Sequence, residues 1–155
     1  MKLRILSIGA DKSGLFEPGI AEYSKRIRRY APLELIELSP SKKGGIDPQR
    51  AREEEGQSLL SRLKPAELVI ALDERGELMS SEDFSRQVVQ EAMVRGRDLA
   101  FLLGGAEGHP DSIRQRADRV LALSKMTLPH RLARLLLVEQ IYRAFAIARG
   151  EPYHK

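Results

Sequence analysis

The chain has 155 residues, 42% hydrophobic and 31% charged, enough for one ordinary domain that buries roughly 68–70% of its unfolded surface without staples. It has no cysteine, which excludes a disulfide scaffold, a thiolate zinc site and a cysteine nucleophile, and fits a reducing, cytoplasmic setting. The formal charge of +4 is unevenly placed: residues 1–124 balance, whereas 125–155 carry Lys125, Arg131, Arg134, Arg143, Arg149 and Lys155 against only Glu139 and Glu151, which favours an anionic partner such as a phosphate backbone, a solvated basic helix being the plain alternative.

In chain order, Lys2 to Ile8 reads as a strand closed by Gly9, with turn residues from Asp11 to Gly14. Ile20, Tyr23 and Ile27 recur at helical spacing and predict a helix over 19–29. Leu33 to Leu38 is a second strand, and Ser39 to Pro48 a loop rich in Ser, Lys, Gly and Pro. A polar helix follows over 49–63, closed by Pro65, with Glu53-Glu54-Glu55 as a solvated face. Leu68 to Leu72 and Leu99 to Leu103 are continuous apolar runs, which suit strands buried on both faces of a parallel sheet. Between them, Ser80 with Asp83 three residues on opens a helix to about Val94. A short helix over 111–117 leads to a strand over 120–123. Pro129 stands at a helix start, and the last helix runs to about Arg149, where Gly150 ends it. This alternation predicts one α/β domain over 1–155, an open, mainly parallel sheet with helices on both faces. The last helix is apolar nearly all round, which calls for burial on more than one side. A second subunit of a homodimer is the expected cover, and a central helix in a monomer the alternative.

No apolar run approaches the roughly 18 residues that span a bilayer, and the start lacks the apolar block of a secretion signal. The chain has no GxGxxG turn after its first strand, no GxxxxGK[ST] loop and no GxSxG elbow. His109, His130 and His154 are not at zinc-ligand spacings. What remains is a set of turns at the carboxyl ends of buried strands: Leu72 to Gly76, Leu103 to Gly108, and Leu123 to Thr127. Ligands of open parallel sheets bind outside those ends. Gly104 and Gly105 let main-chain atoms approach a ligand. Together the turns suit a nucleoside held by main-chain hydrogen bonds and packed against Leu72, Leu123, Met126 and Leu128.

Three segments carry a family resemblance: Leu123-Ser124-Lys125-Met126-Thr127-Leu128-Pro129-His130, Val138-Glu139-Gln140-Ile141-Tyr142-Arg143-Ala144 and Pro152-Tyr153-His154-Lys155. They resemble the C-terminal signature of the ribosomal RNA large subunit methyltransferase H family, within the SPOUT superfamily. The Leu72-Asp73 and Gly104-Gly105 turns agree, and the resemblance covers essentially the whole chain. Two positions depart from it: Ala106 where proline is common, and Glu77 where lysine is often found. The resemblance implies a homodimeric, S-adenosylmethionine-dependent enzyme that methylates N3 of a pseudouridine in large-subunit ribosomal RNA, with a SPOUT-type α/β fold and a C-terminal trefoil knot. Carried over by position, Leu72, Gly104, Gly105 and Leu123, Ser124, Lys125, Met126, Thr127 and Leu128 would bind the cofactor. Tyr153 and His154 are expected at the substrate end.

Such chemistry needs no metal and no covalent enzyme intermediate; it needs alignment of methyl donor and acceptor, and loss of the acceptor's imide proton. Arg143 is the candidate to stabilise the resulting anion, unless it only pairs with Glu139 one turn earlier, and His154 the candidate to orient the base or take the proton. Arg131, Arg134 and Lys155 are the expected phosphate contacts, joined by the 25–29 cluster of Lys25, Arg26, Arg28 and Arg29 unless that cluster is only a solvated helix face. A non-catalytic, basic ribosome-binding or assembly factor is the rival reading.

Overall fold

Parallel pairing organises the chain. In the computed structural model, which describes residues 1–10 and 12–155, strands β1 (Leu3–Ile8), β2 (Leu33–Leu38), β3 (Leu68–Leu78), β4 (Leu99–Leu103) and β5 (Arg119–Ala122) form one sheet in the order β2-β1-β4-β3-β5. Every pairing is parallel. Asp11, in the expected turn after β1, lies outside the described residues. Alternate residues face opposite sides. Leu3, Ile5, Ile70, Leu99, Phe101 and Leu103 pack on one face, and Leu6, Ile8, Val69, Ala71, Ala100 and Leu102 on the other. Both faces are therefore apolar, which is why these strands read as continuous hydrophobic runs.

Helices α1 (Glu17–Ile27), α3 (Ser81–Phe84), α4 (Glu91–Val94) and α6 (His130–Ala148) cover the first face; α2 (Pro48–Leu60) and α5 (Asp111–Arg116) cover the second. Helices α3 and α4 are joined without a break by a π-helical segment, Ser85–Gln90. The expected cap is present, Ser80 Oγ accepting the Asp83 amide at 3.0 Å. Two helices start earlier than expected, α1 by two residues and α2 by one, and α1 ends at Ile27 rather than at 29. Pro18 and Pro48 occupy first-turn positions of α1 and α2, so these helices start at Glu17 and Pro48, and Asp47 caps α2 through the Arg50 amide. Helix α2 already ends at Leu60, and β5 ends at Ala122. Pro129 is the N-cap of α6, and Gly150, at φ 65°, closes it.

The apolar girth of α6 is used largely within the chain. The helix lies between α1 and the π-helical segment, and Tyr30 stacks on Phe145 at 5.1 Å. Leu136, 37% exposed, is its one large hydrophobic residue left markedly in solvent. Leu137, Val138, Ile141, Ala144 and Phe145 are buried by neighbours within the chain, while Leu132, Leu135 and Ile147 are only half-buried there. The acidic run also departs from expectation. Glu53 and Glu54 are exposed, but Glu55 is buried at 6% exposure.

Strand β3 is longer than its apolar run because it contains a wide bulge. Leu72 and Glu77 both register with Leu121 of β5, so residues 73–76 loop out between them. Gly76 returns the chain so close to β5 that a Cβ would lie 2.6 Å from the Leu121 carbonyl carbon. Gly76→Ala should therefore push the two strands apart and cost about 1–3 kcal/mol, the scale of core overpacking. Urea unfolding of the two proteins measures it, and equal midpoints would contradict the assignment.

Candidate functional site

The bulge opens one side of a cavity of about 320 Å³ over the carboxyl ends of β3, β4 and β5. Leu72, Asp73, Glu74 and Arg75 line it from β3, Leu103 to His109 from β4 and its turn, and Leu123 to His130, apart from Lys125 and Pro129, from the segment after β5. The three strand-end segments singled out in the sequence thus converge on one space. The turn after β4 closes tightly, with a bridge between Gly105 and Gly108, the Gly108 amide donating to the Gly105 carbonyl at 3.1 Å, and Gly108 at φ 78°. A Cβ on Gly105 would meet the Glu55 carboxylate at 2.9 and 3.0 Å. Across the cavity, Thr127 Oγ1 donates to Glu74 Oε2 at 3.0 Å, tying the last segment to the bulge.

The lining is apolar at Leu72, Leu103, Leu123 and Leu128 and acidic elsewhere, with Asp73, Glu74 and Glu107 against Arg75. Arg114 holds Asp73 at 2.9 Å, and the Arg75 amide donates to the same carboxylate. Burial pushes the Asp73 carboxyl up, but these hydrogen bonds and charges outweigh it and keep it below the ordinary aspartate value. His109, 2% exposed, lies by Leu102 O at 3.3 Å, and burial lowers its pKa below the ordinary histidine value. His130, the first residue of α6, also lines the cavity, its pKa lowered by burial and by Arg131.

Of the expected cofactor residues, Leu72, Gly104, Gly105, Leu123, Ser124, Met126, Thr127 and Leu128 line this cavity; Lys125 is exposed outside it. Met126 lies on the rim, largely in solvent. The C-terminal candidates lie elsewhere. Arg143 donates to Glu139 at 2.6 and 3.0 Å and, through Nη1, to His154 Nδ1 at 3.2 Å. Because a guanidinium only donates, Nδ1 is the acceptor there, which leaves Nε2 to carry the ring proton toward Glu82 at 2.8 Å. Tyr153 donates to Glu139 at 2.9 Å and lies under the Arg143 guanidinium at 4.7 Å. Burial and its bonds to Tyr23 and Glu139 push its phenol well above the usual value. A second cavity, about 220 Å³, shares Leu72 and Leu123 with the first and is lined also by Ser81 and Gln140, which are hydrogen-bonded at 2.6 Å.

Arg134 is corrected by the structure. It is 5% exposed and paired with Glu37 at 2.7 Å, so its charge is spent inside the fold rather than offered to a phosphate. Arg131 borders a narrow crevice with Gly9 and Ile20, while Lys155 is exposed. In the 25–29 cluster, Lys25, Arg28 and Arg29 are exposed, and Arg26 is held by Glu22 over the rings of Tyr23 and Tyr142. Glu77, at the family-departing position, faces Arg119 at 3.5 Å. Sequence reasoning did not single out Asp73, Glu107, His109 or Glu55 as site residues. The carboxylates directly beside the Leu72 and Gly105 turns were the available signal; for Glu55 there was none, since it reaches the turn from another helix. Among the described residues no cluster of His, Cys, Asp or Glu is placed to hold a metal ion, and no helix is long and apolar enough to cross a membrane.

Comparison with known proteins adds to this geometry. The family model described as "Predicted SPOUT methyltransferase" matches residues 1–154. The chain is 50% identical over 155 residues to the ribosomal RNA large subunit methyltransferase H of an Anaeromyxobacter species, covering all of both chains. It is 43% identical over 159 aligned positions to the protein of that name from Streptococcus pneumoniae, again covering all of both. In fold it is similar to a probable methylase family protein from Haemophilus influenzae, with a TM-score of 0.57 at 17% identity, over 99% of this chain and 70% of that one.

The Asp73–Arg114 pair yields a pH prediction. A carboxyl held below its unfolded value stabilises the fold fully above that value, about pH 4, and loses the contribution as pH falls through the lower folded value. Asp73→Asn should lower the thermal midpoint at pH 7, and the gap to the unsubstituted protein should shrink toward pH 3. A gap that stays constant across that range would refute the pairing's role.

Proposed function

The chain belongs to the SPOUT methyltransferase family, and on that premise we propose that it is an S-adenosylmethionine-dependent enzyme methylating N3 of a pseudouridine in large-subunit ribosomal RNA. One observation carries the reading: three strand-end segments meet around a single cavity of about 320 Å³, within the roughly 300–1,000 Å³ of small-molecule sites. The residues present fit the cofactor. Leu72, Leu103, Leu123 and Leu128 offer apolar walls to a flat base, and the main chain of Gly104, Gly105, Ser124 and 126–128 offers donors and acceptors. Glu74 and Glu107 offer negative charge to a cation, Asp73 being committed to Arg114.

S-adenosylmethionine, when bound, supplies an electrophilic methyl group on a positively charged sulfur. The protein must align that group with the acceptor nitrogen and favour the acceptor's deprotonated form. Arg143 suits the second of these roles, because its guanidinium is aimed by Glu139, His154 and the Tyr153 ring, and a fixed cation beside the imide favours loss of its proton. His154 acts as a positioning residue in this reading, since both its ring nitrogens are occupied. Tyr153 remains a neutral phenol that fixes Glu139.

The Arg143 cluster does not line the cavity of its own chain. A homodimer in which each tail serves the partner's cavity resolves that separation, and Lys125, Arg131 and Lys155 would then flank the RNA. One domain over 1–155, a cytoplasmic location, and a knot formed as the chain after β5 threads the loop after β4 belong to the same reading. Its support is that both of those segments line one cavity.

Calorimetry with S-adenosylmethionine should show one saturable site per chain, and labelled cofactor should transfer its methyl group to ribosomes or free large subunits. Arg143→Ala should lower kcat by about 10²–10³, the value of one lost transition-state donor, with cofactor affinity kept. A binding factor without activity would bind ribosomes and transfer no label, and that result would overturn the proposal. Lys155→Glu should lower the salt dependence of RNA binding by about one phosphate contact; an unchanged slope would reject that contact.

A further inference from the structure

Glu55 contributes no wall to the cavity, yet the turn that forms one wall rests on it. Its two carboxylate oxygens lie against Gly105, at 2.9 and 3.0 Å from where a Cβ would be. Its Oε2 also accepts the Ser41 amide at 3.3 Å, from the loop between β2 and α2. The next residue, Gly56, brings α2 so close to the end of the same turn that a Cβ there would lie 2.3 Å from Pro110 Cγ. Helix α2 thus braces the 104–110 segment at two points, one of them a buried carboxyl group.

A buried carboxyl in that position needs a reason, since an apolar side chain would avoid the desolvation cost. Burial pushes its pKa up against the pull of the Ser41 amide, and Glu107 and Glu54 add to the rise. We propose that Glu55 is a positioning residue for the cofactor cavity, its carboxyl group spacing the Gly104-Gly105 turn from the Ser41 loop and so setting the cavity's shape from outside. The proposal rests on the cofactor reading of that cavity. It makes reach, not charge, the property that matters: the group must span from α2 to the Ser41 amide while staying flat against Gly105.

Three substitutions in the full chain separate these properties. Glu55→Gln keeps length, planarity and the acceptor for Ser41; Glu55→Asp keeps the charge and withdraws the group; Glu55→Ala removes it. Calorimetry with S-adenosylmethionine and steady-state methyl transfer to ribosomes should show Gln within about twofold of the unsubstituted protein. Asp and Ala should raise Kd and KM for the cofactor about tenfold or more, with kcat changed little. Should Ala fail to fold, the comparison of Asp with Gln decides alone. Unchanged cofactor affinity in Asp, a loss confined to kcat, or Gln as weak as Asp would each overturn the proposal. If the unsubstituted protein itself shows no saturable binding, the cofactor reading fails first, which is a distinct result.

Discussion

The site exists because the main chain makes approaches at the sheet's carboxyl edge that no side chain would permit. At Gly76 the backbone of β3 returns onto β5, and at Gly105 the turn after β4 lies flat on a carboxylate from α2. The first approach ejects Asp73, Glu74 and Arg75 from the strand as a bulge; the second keeps the opposite wall down. A Cβ at either place would move a wall of the cavity. The glycines matter here less for conformational freedom than for the volume they leave empty.

Charge is distributed around that space with a clear division. The cavity is lined by more carboxylates than cations, which suits a positively charged donor, while the chain's net positive charge falls in residues 125–155. Part of the tail's excess positive charge is nonetheless consumed inside the chain, where the buried Arg134 is taken by Glu37. Arg143 shares its guanidinium between Glu139 and His154, and Arg149 lies over the ring of Tyr30 at 5.0 Å while staying exposed. The charge exposed at this end is therefore smaller than the composition suggests and is carried by Lys125, Arg149 and Lys155.

The Arg143 cluster is built as a network rather than as a set of separate groups. Tyr23, Tyr153, Glu139, Arg143, His154 and Glu82 are linked in sequence by hydrogen bonds from 2.6 to 3.4 Å, and the members come from α1, α3, α6 and the tail. The tail is held in place by aromatic packing as well, Tyr153 meeting Tyr142 edge-on at 4.6 Å. Such a network fixes the guanidinium's direction, and rigid placement is what electrostatic stabilisation of a developing charge requires.

The amino-acid sequence determined the strands, the parallel α/β class, the Ser80 and Gly150 helix signals and three strand-end turns, because each is a local matter of periodicity, capping or glycine placement. It also carried the family signature in Leu123 to His130, Val138 to Ala144 and Pro152 to Lys155. Tertiary structure alone decided what those residues meet. It buried Arg134 against Glu37 and turned Glu55 out of an apparently solvated acidic run into the support of Gly105. It also packed α6 between α1 and the π-helical segment, leaving Leu132, Leu135, Leu136 and Ile147 only partly covered, and it separated Arg143 from the cavity. Each of these depends on which distant segment arrives at a given face, and no periodicity along the chain encodes a neighbour tens of residues away.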